Sequence, residues 1–332
     1  MGERMKKASM NDVARLAGVS VATVSYALSG KRFVSDEIKE RVNEAIARLS
    51  YTPNLTARSL KTGRSNVVFF IVPDIGNSFF STAVEEVENA VSGKGYRLLI
   101  ANTKEDVSRE ILQLQGVNKS VVDGIILAST ADTVQQILPM FPADVPIILF
   151  DRFFERSNLD YVICDSTEVL SEAVRELNRR GHSQIGFISG LSRLSSSQER
   201  LSSYETAMRN CGLDILPEYV KAGNSDYTCV ETACKEMIDA GITAIVASNG
   251  SMSFYARHAC MMMGKTLGKD IEIIGFVDAP NTDMMQDYFA TITLPIVEAS
   301  RIAGEEIVRR IEEEDSDEKH IHVPATVKYR DK

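Results

Sequence analysis

Apolar residues recur at a helical period in the first fifty residues of the chain. The apolar positions of the first predicted helix have the i, i+3, i+4, i+7 spacing of one buried face: Met10, Val13, Ala14 and Ala17. Ser9 is placed to cap this helix, because Asp12 stands three residues later, as in a capping box. Gly18 can adopt the left-handed conformation that ends a helix. The pattern therefore predicts a short amphipathic helix between Ser9 and Gly18.

Two further helices are predicted in the same region. Ser20 is placed to cap the second helix, whose inward-pointing residues are expected to be Val24, Ala27 and Leu28. A third helix is predicted from Ser35 to Leu49, with an inner face formed by Ile38, Val42, Ala45, Ile46 and Leu49. Two short helices around a tight turn are typical of a helix-turn-helix, which lays its second helix in the major groove of DNA. The head of the chain is thus predicted to bind DNA.

From residue 67 the pattern changes to short β-rich runs that alternate with longer helical segments. The predicted strands form two series: Val67–Val72, Arg97–Ala101, Gly124–Ala128 and Pro146–Phe150, then Ile185–Ser189, Val220–Ala222, Ala244–Ser248 and Ile271–Val277. Continuous apolar strands that alternate with helices indicate parallel sheets covered on both faces. Two such series predict two α/β lobes with a cleft between them. A strand-like stretch at 322–329 follows a charged run at 312–319, which is expected to be an exposed loop.

Charge divides the chain into the same two parts. Residues 1–64 hold 12 Lys and Arg and 6 Asp and Glu, whereas residues 65–332 hold 25 and 40. A basic head on an acidic body is expected where only the head meets phosphate groups.

Composition argues against several other classes of protein. The 332 residues are 44% hydrophobic, and no apolar run approaches the roughly 18 residues of a membrane span. The N-terminus lacks the apolar core of a secretory signal, so a cytoplasmic protein is expected. Neither Gly-x-Ser-x-Gly nor HExxH occurs, and no enzyme, metal or cofactor is predicted. Five cysteines without disulfide or zinc spacing are expected to be reduced core thiols: Cys164, Cys211, Cys229, Cys234 and Cys260.

The head closely resembles the DNA-binding headpiece of the LacI/GalR family of bacterial transcription regulators. The resemblance runs without a gap through these segments: Asp12-Val13-Ala14, Ala17-Gly18-Val19-Ser20, Ala22-Thr23-Val24-Ser25, Tyr51-Thr52-Pro53-Asn54 and Ala57-Arg58-Ser59-Leu60. It implies base-reading positions at Val21, Ala22 and Tyr26, and contacts with the DNA backbone at Ser20, Thr23, Ser25 and Asn43. Many members have Arg or His in place of Tyr26. It also implies a hinge helix that enters the minor groove, with Thr56, Ala57 and the wedging Leu60.

The body resembles the effector domain of the same family, which has the type I fold of periplasmic sugar-binding proteins. Landmarks include Val122-Asp123-Gly124, Leu149-Phe150-Asp151-Arg152 and Ile273-Ile274-Gly275-Phe276. The resemblance implies an all-α helix-turn-helix head at 1–50, a hinge and linker at 51–65, and an effector-binding and dimerisation domain at 66–332. The α/β domain would have two discontinuous lobes with parallel sheets: 66–163 with 294–330, and 164–293.

The resemblance also implies an effector site in the cleft. Its apolar walls would be Phe79, Phe80 and Phe276, and its polar anchors Asp74, Arg152, Arg200 and Asn249. Two positions depart from the family, because Gly250 and Val277 stand where sugar-binding members have carboxylates. Loss of two anions beside a retained Arg200 favours an anionic ligand, such as a sugar phosphate or sugar acid, over a neutral sugar.

These observations predict a dimeric repressor of carbohydrate-related genes that binds a palindromic operator and is modulated by a small-molecule effector. An alternative keeps the fold but replaces the effector with a protein corepressor, or has no small-molecule effector. A solute receptor would need a secretory signal and no DNA-binding head, and an α/β enzyme would need a catalytic constellation.

Overall fold

The head folds as three helices in the computed structural model, which describes residues 8–29, 32–51, 63–277, 286–313 and 317–330. They are α1 Met10–Ala17, α2 Val21–Ser29 and α3 Asp36–Leu49. Ser9 and Asp12 form the predicted capping box on α1, and Gly18 ends this helix with a φ of 65°. The Thr23 N–H donates to Ser20 Oγ at 3.0 Å, so the predicted cap of α2 is also present.

The core of the head draws one fully buried valine from each helix: Val13, Val24 and Val42. Tyr51 packs against the same cluster. The expectation that Leu28 points inward is wrong, since its side chain is 38% exposed. A unit this small encloses few residues, and in this turn of α2 it is Ala27 that packs against the core.

The body, Arg64–Lys332, is a second unit. Its helices are α4 Ser78–Ser92, α5 Val107–Gln115, α6 Thr167–Arg179, α7 Ser195–Asn210, α8 Tyr227–Asp239, α9 Gly250–Met262 and α10 Ile296–Glu312. Its strands are β1 Val67–Val72, β2 Arg97–Asn102, β3 Gly124–Leu127, β4 Ile147–Phe150, β5 Asp160–Asp165, β6 Ile185–Ser189, β7 Val220–Ala222, β8 Ala244–Ala247, β9 Glu272–Val277, β10 Ala290–Thr293, β11 His320–Pro324 and β12 Thr326–Tyr329.

The strands form two six-stranded sheets, one in each lobe. The first has the order β11-β5-β4-β3-β1-β2 and the second the order β12-β10-β9-β8-β6-β7. Strand pairing is parallel except between β10 and β12. One apolar cluster includes residues of both sheets and of the helices α4, α6, α7 and α10. Because helices cover the sheets, the strands are nearly continuous apolar runs.

The sheets differ from the predicted ones at three places. Strands β5 and β10 were not predicted, because β5 has an aspartate at each end and β10 is only four residues of the type Ala-Thr-Ile-Thr. The stretch at 322–329 is two strands, of which β11 joins the first sheet and β12 the second. The first lobe was expected to include residues 294–330, but residues 326–329 form β12 and pair with the sheet of the second lobe. The pairing of β12 with β10 is antiparallel, so the sheets are mostly rather than wholly parallel.

The expectation for the cysteines holds in part. All five thiols are free, and Cys164, Cys234 and Cys260 are buried. Cys229 is exposed in the first turn of α8 and Cys211 is partly exposed, so these two are not core thiols.

Candidate functional site

The predicted base-reading residues lie on the accessible side of α2. Val21 is 40% exposed and Ala22 is also exposed. Val24, which lies on the same helix, is fully buried in the core of the head. Tyr26 is partly exposed, and the Arg32 guanidinium lies 5.2 Å from the centre of its ring. The surface thus combines small apolar groups, which suit thymine methyls, with an aromatic hydroxyl and a cation.

The predicted phosphate contacts fall into two kinds. Ser20 and Thr23 have their hydroxyl oxygens 2.8 Å apart at the start of α2, so they also serve as its cap. Asn43 is exposed on α3, and Ser25 is partly exposed. Arg32, which lies beside Tyr26, was not among the predicted residues, and its signal was a position three residues after the end of α2 in a basic head. The hinge residues Thr56, Ala57 and Leu60 lie outside the described residues.

The body brings polar side chains together where the parallel strands end, the usual position of ligands in α/β sheets. Asp151 follows β4 with a φ of 64°, an uncommon conformation for a residue with a side chain. Burial raises the pKa of Asp151, and the Arg152 and Arg200 guanidinium groups oppose that rise. We call the region around these three side chains the strand-end cleft, and the rings of Phe80 and Phe276 lie beside its two arginines.

The two cleft arginines are already engaged. Arg152 is buried and binds Glu105 through both terminal nitrogens, at 2.6 and 3.0 Å, and it donates to the Ser129 carbonyl at 2.9 Å. Its Nε has no hydrogen-bond partner among the residues that the structure describes. Arg200 donates to the Ser248 carbonyl at 2.8 Å and lies 4.6 Å over the ring of Phe276. Burial lowers the pKa of Arg200, and Asp151 opposes that effect.

The predicted apolar walls are packed into the core. Phe276 is fully buried beneath Arg200, so a ligand reaches its ring only if Arg200 moves. Phe79 and Phe80 are buried with their ring centres 5.0 Å apart, and the Arg152 guanidinium lies 5.7 Å from Phe80. Val277, at one of the two departures from the family, is buried in a second apolar cluster.

Asp74 and Asn249 form hydrogen bonds with residues outside the group of two arginines and three phenylalanines. Asp74 is exposed and accepts from the Gly76 N–H at 3.0 Å. Asn249 caps α9, accepting from the Met252 N–H at 2.8 Å, and donates to Ser225 Oγ at 2.8 Å. The structure therefore unites Arg152, Arg200 and the three phenylalanines more closely than it does these two polar anchors.

Arg193 spans the lobes. It belongs to the second lobe and donates to two carbonyl oxygens of the first, those of Thr130 and Glu105, each at 3.2 Å. Its Nε is also 3.3 Å from the Asp132 carboxylate. Beside it, the Phe153 N–H of the first lobe donates to Ser195 Oγ of the second at 3.0 Å. We call these contacts the Arg193 bridge.

A pocket of about 540 Å³ opens next to the Arg193 bridge, and we call it the interlobe pocket. The first lobe supplies residues 129, 131–135 and 152–155, and the second supplies 167, 193–195, 198, 199, 202 and 203. Of the predicted effector residues, only Arg152 lines it. Burial raises the pKa of the Glu199 carboxyl in this pocket, and the neighbouring Asp165 raises it further.

Carboxylates lie beside both arginines of the strand-end cleft. Glu105 and Asp151 neutralise Arg152, and Asp151 also faces Arg200. Sequence reasoning missed Glu105, Asp151 and Arg193. Asp151 carried a signal, since a carboxylate directly follows an apolar strand, but Glu105 and Arg193 reach their partners only through contacts between distant parts of the chain.

The described residues lack two features of other classes of protein. None of the helices there is long and apolar enough to cross a membrane. In those ranges no group of three His, Cys, Asp or Glu side chains is arranged to hold a metal ion.

Both units of the chain, the head and the body, match known protein families. The model of the "Bacterial regulatory proteins, lacI family" matches residues 9–54, and that of the "Periplasmic binding proteins and sugar binding domain of LacI family" matches residues 65–329. A ribose operon repressor of Haemophilus influenzae is 30% identical over 306 residues, 92% of each chain. The transcriptional repressor PurR of Vibrio cholerae is 28% identical over 328 residues, 98% of this chain and 97% of its own.

A solved structure has the same fold over nearly the whole length. The lac repressor dimer bound to operator superposes with a TM-score of 0.84 at 19% identity, covering 98% of this chain and 99% of that one. A helix-turn-helix head and two α/β lobes match the family in sequence and in architecture. The chain therefore belongs to the LacI family of bacterial regulatory proteins and is a DNA-binding regulator.

Proposed function

We propose that this chain represses carbohydrate-related genes as a homodimer on a palindromic operator, and that a small molecule between its lobes changes its affinity for that operator. The observation that carries the proposal is the exposed surface of α2, in which Val21, Ala22 and Tyr26 are available to DNA beside Arg32. Members of this family are not enzymes, so the lobes serve regulation.

Exposed apolar side chains support a homodimer. On α9, Phe254 is 57% and Met262 68% exposed, and Met261 lies on the same side of the helix. On β2, an edge strand of the first sheet, Leu99 and Ile100 are exposed. Apolar patches of this kind mark protein interfaces, and a two-fold dimer presents two recognition helices to two half-sites.

The ligand class follows from the relatives and from the charges. By name, one relative of this chain is a ribose operon repressor and another is the transcriptional repressor PurR, so a sugar or another small polar molecule is the expected effector class. Carboxylates at Glu105 and Asp151 neutralise the cleft arginines, which favours a neutral sugar over a sugar phosphate or sugar acid. A ligand alters DNA affinity only if it binds the two lobe arrangements unequally.

Selection of binding sites from random DNA tests the proposal. We expect enrichment of a pseudo-palindrome with a flexible central step, because each half-site meets one recognition helix of a symmetric dimer. Binding should weaken steeply with added salt as phosphate contacts release counterions. Enrichment of sites without two-fold symmetry would contradict the dimer, and the absence of any enriched sequence would contradict the repressor.

The hinge carries a separate prediction. Leu60→Ala should weaken operator binding by about 1–3 kcal/mol, since an apolar wedge in the minor groove is lost, while non-specific binding changes little. Electrophoretic titration of operator and unrelated DNA measures both. Leu216→Ala, a similar truncation in the second lobe, is the control and should leave operator affinity unchanged. Equal operator affinity in the Leu60 variant and the wild type would assign Leu60 a packing role.

A further inference from the structure

We propose that Asp123 is a positioning residue for operator binding, because its buried carboxylate fixes the backbone at the point where the body receives the chain from the head. The inference rests on the proposed palindromic operator, whose two half-sites can be occupied together only by heads that are tethered at defined places. Asp123 acts through residues 65 and 66 and not by touching DNA.

The Asp123 carboxylate binds two successive residues of the entering chain. Its Oδ1 accepts from the Ser65 N–H at 2.8 Å and from the Ser65 hydroxyl at 3.0 Å, and its Oδ2 accepts from the Asn66 N–H at 2.7 Å. Asp123 is only 3% exposed, so water competes little for these bonds. Hydrogen bonds to an ionised acceptor are roughly twice as strong as those between neutral groups. The start of the body is therefore held by one side chain.

The bound backbone has a conformation that needs support. Asn66 has a φ of 56°, in the left-handed region that residues with a side chain adopt infrequently. Consecutive N–H groups in such a turn form a concave site for an anion, and here the Asp123 carboxylate is that anion. Loss of the carboxylate would leave both N–H groups without this acceptor, so the turn could open.

Backbone hydrogen bonds connect this turn to the first sheet. The Asp123 N–H donates to the Val67 carbonyl at 2.8 Å, and the Arg97 N–H donates to the Asn66 carbonyl at 3.0 Å. Val67 begins β1, and Asp123 directly precedes β3, the strand that pairs with β1. The carboxylate thus lies beside the strand that the entering chain becomes, and it extends the order of that strand back to residue 65.

Arg64, one residue earlier, contacts other elements of the first lobe. Its guanidinium donates to the Ile311 carbonyl at 3.4 Å, close to the C-terminal end of α10, and forms a hydrogen bond with the Tyr96 hydroxyl. A cation is favourable there, because the last carbonyls of a helix lack helical partners. Arg64 is exposed, so its contacts are weaker than those of the buried carboxylate. Asp123 is therefore the residue to test.

A fixed starting point for the linker limits the half-site spacings that a dimer can occupy. In a two-fold dimer, the separation of the half-sites follows from the geometry of the protein. Two free residues added to the linker of each subunit would allow more spacings and lower the effective concentration of the second head. Asp123 should thus determine the preference for spacing, whereas contact with DNA itself is independent of it.

Electrophoretic titration of the full chain on a series of spacings tests the inference. The probes are the pseudo-palindrome selected from random DNA, the same half-sites with one base pair added or removed at the centre, and an unrelated duplex. Asp123→Ala removes both acceptor oxygens, and Asp123→Asn keeps the shape and one oxygen. The matched control is Asp144→Ala, at an exposed position shortly before β4. Thermal unfolding shows whether each variant is folded.

We expect Asp123→Ala to weaken binding to the selected operator by about tenfold or more, the scale of ordering one freed backbone residue. Its preference for the selected spacing over the altered ones should shrink, while its affinity for the unrelated duplex stays the same. Asp123→Asn should lie between this variant and the wild type, and Asp144→Ala should match the wild type. Hydrogen exchange at the amides of residues 65 and 66 should be faster in the two Asp123 variants only.

A folded Asp123→Ala variant with the spacing preference of the wild type would overturn the inference. An equal loss of affinity for all the probes would also overturn it, since that is the result of general destabilisation. If Asp123→Ala does not fold, the same two results are decisive in Asp123→Asn. A wild type that binds every spacing equally would contradict the palindromic dimer and this inference with it, and the two failures are distinguishable because only that one appears before any substitution.

Discussion

Replacing Glu110 by leucine is expected to lower the free energy of unfolding by about 3 kcal/mol, because buried donors lose their acceptor. Glu110 is fully buried on α5 and accepts from the Ser129 hydroxyl at 2.6 Å and from the Thr130 hydroxyl at 2.7 Å. It also accepts from the Thr130 N–H at 2.5 Å. Leucine fills a similar volume but accepts no hydrogen bond, so the Thr130 N–H and the two hydroxyl groups lose this acceptor. Chemical denaturation measures the loss.

The same variant should loosen the contact between the lobes. The Thr130 carbonyl accepts a hydrogen bond from Arg193, and the Ser129 carbonyl accepts one from Arg152. Glu110 therefore positions the two residues whose carbonyl groups bind these arginines. The control is Glu88→Leu at an exposed position of α4, which should change stability by no more than about 0.5 kcal/mol. Equal stability of the two variants would show that the donors of this loop find other partners.

Gly275→Ala should cost about 3 kcal/mol or more, since the centre of β9 has no room for a methyl group. A Cβ there would lie 2.3 Å from Tyr288 Cε2 and 3.1 Å from Ser253 Cβ. Neither neighbour is free to retreat, because the Tyr288 hydroxyl donates to the Ser253 carbonyl at 2.6 Å and Ser253 Oγ accepts from the Phe276 N–H at 2.8 Å. Thermal or chemical unfolding measures the effect.

Gly116→Ala is the matched control for this prediction. Gly116 ends α5 with a φ of −86°, and its added Cβ would meet no atom within 4 Å, so the change should be neutral or slightly stabilising. Combining Gly275→Ala with Tyr288→Val should recover part of the lost stability, because the two sites share one space. A loss that Tyr288→Val does not relieve at all would place the strain in the backbone of β9 instead.

Local pattern predicted the helix caps and the central core residues of the head. The capping box of Ser9 and Asp12 and the left-handed Gly18 concern residues close together in the chain, and helix period alone identified Val13, Val24 and Val42 as core. It failed at Leu28, where burial depends on how far the neighbouring helices reach.

The strands of the body were predicted where apolar runs are continuous, and missed where they are short or end in polar residues. β1, β6 and β7 have the predicted bounds, and the first two are buried parallel strands with few polar residues. β10 is too short to stand out, and the break between β11 and β12 is decided by which sheet each strand joins.

The sequence by itself determined that this protein has a DNA-binding head on a two-lobed α/β body, because helix period, caps and apolar strands are properties of neighbouring residues. Only the tertiary structure decided the charge and shape of the candidate site. Glu105 lies 47 residues before Arg152, and Arg193 reaches Glu105 across 88 residues, so the neutralised cleft and the interlobe pocket exist only once the lobes have folded and met. An arginine read in isolation predicts a positive site, but its electrostatic effect depends on the carboxylates that folding brings within hydrogen-bonding distance.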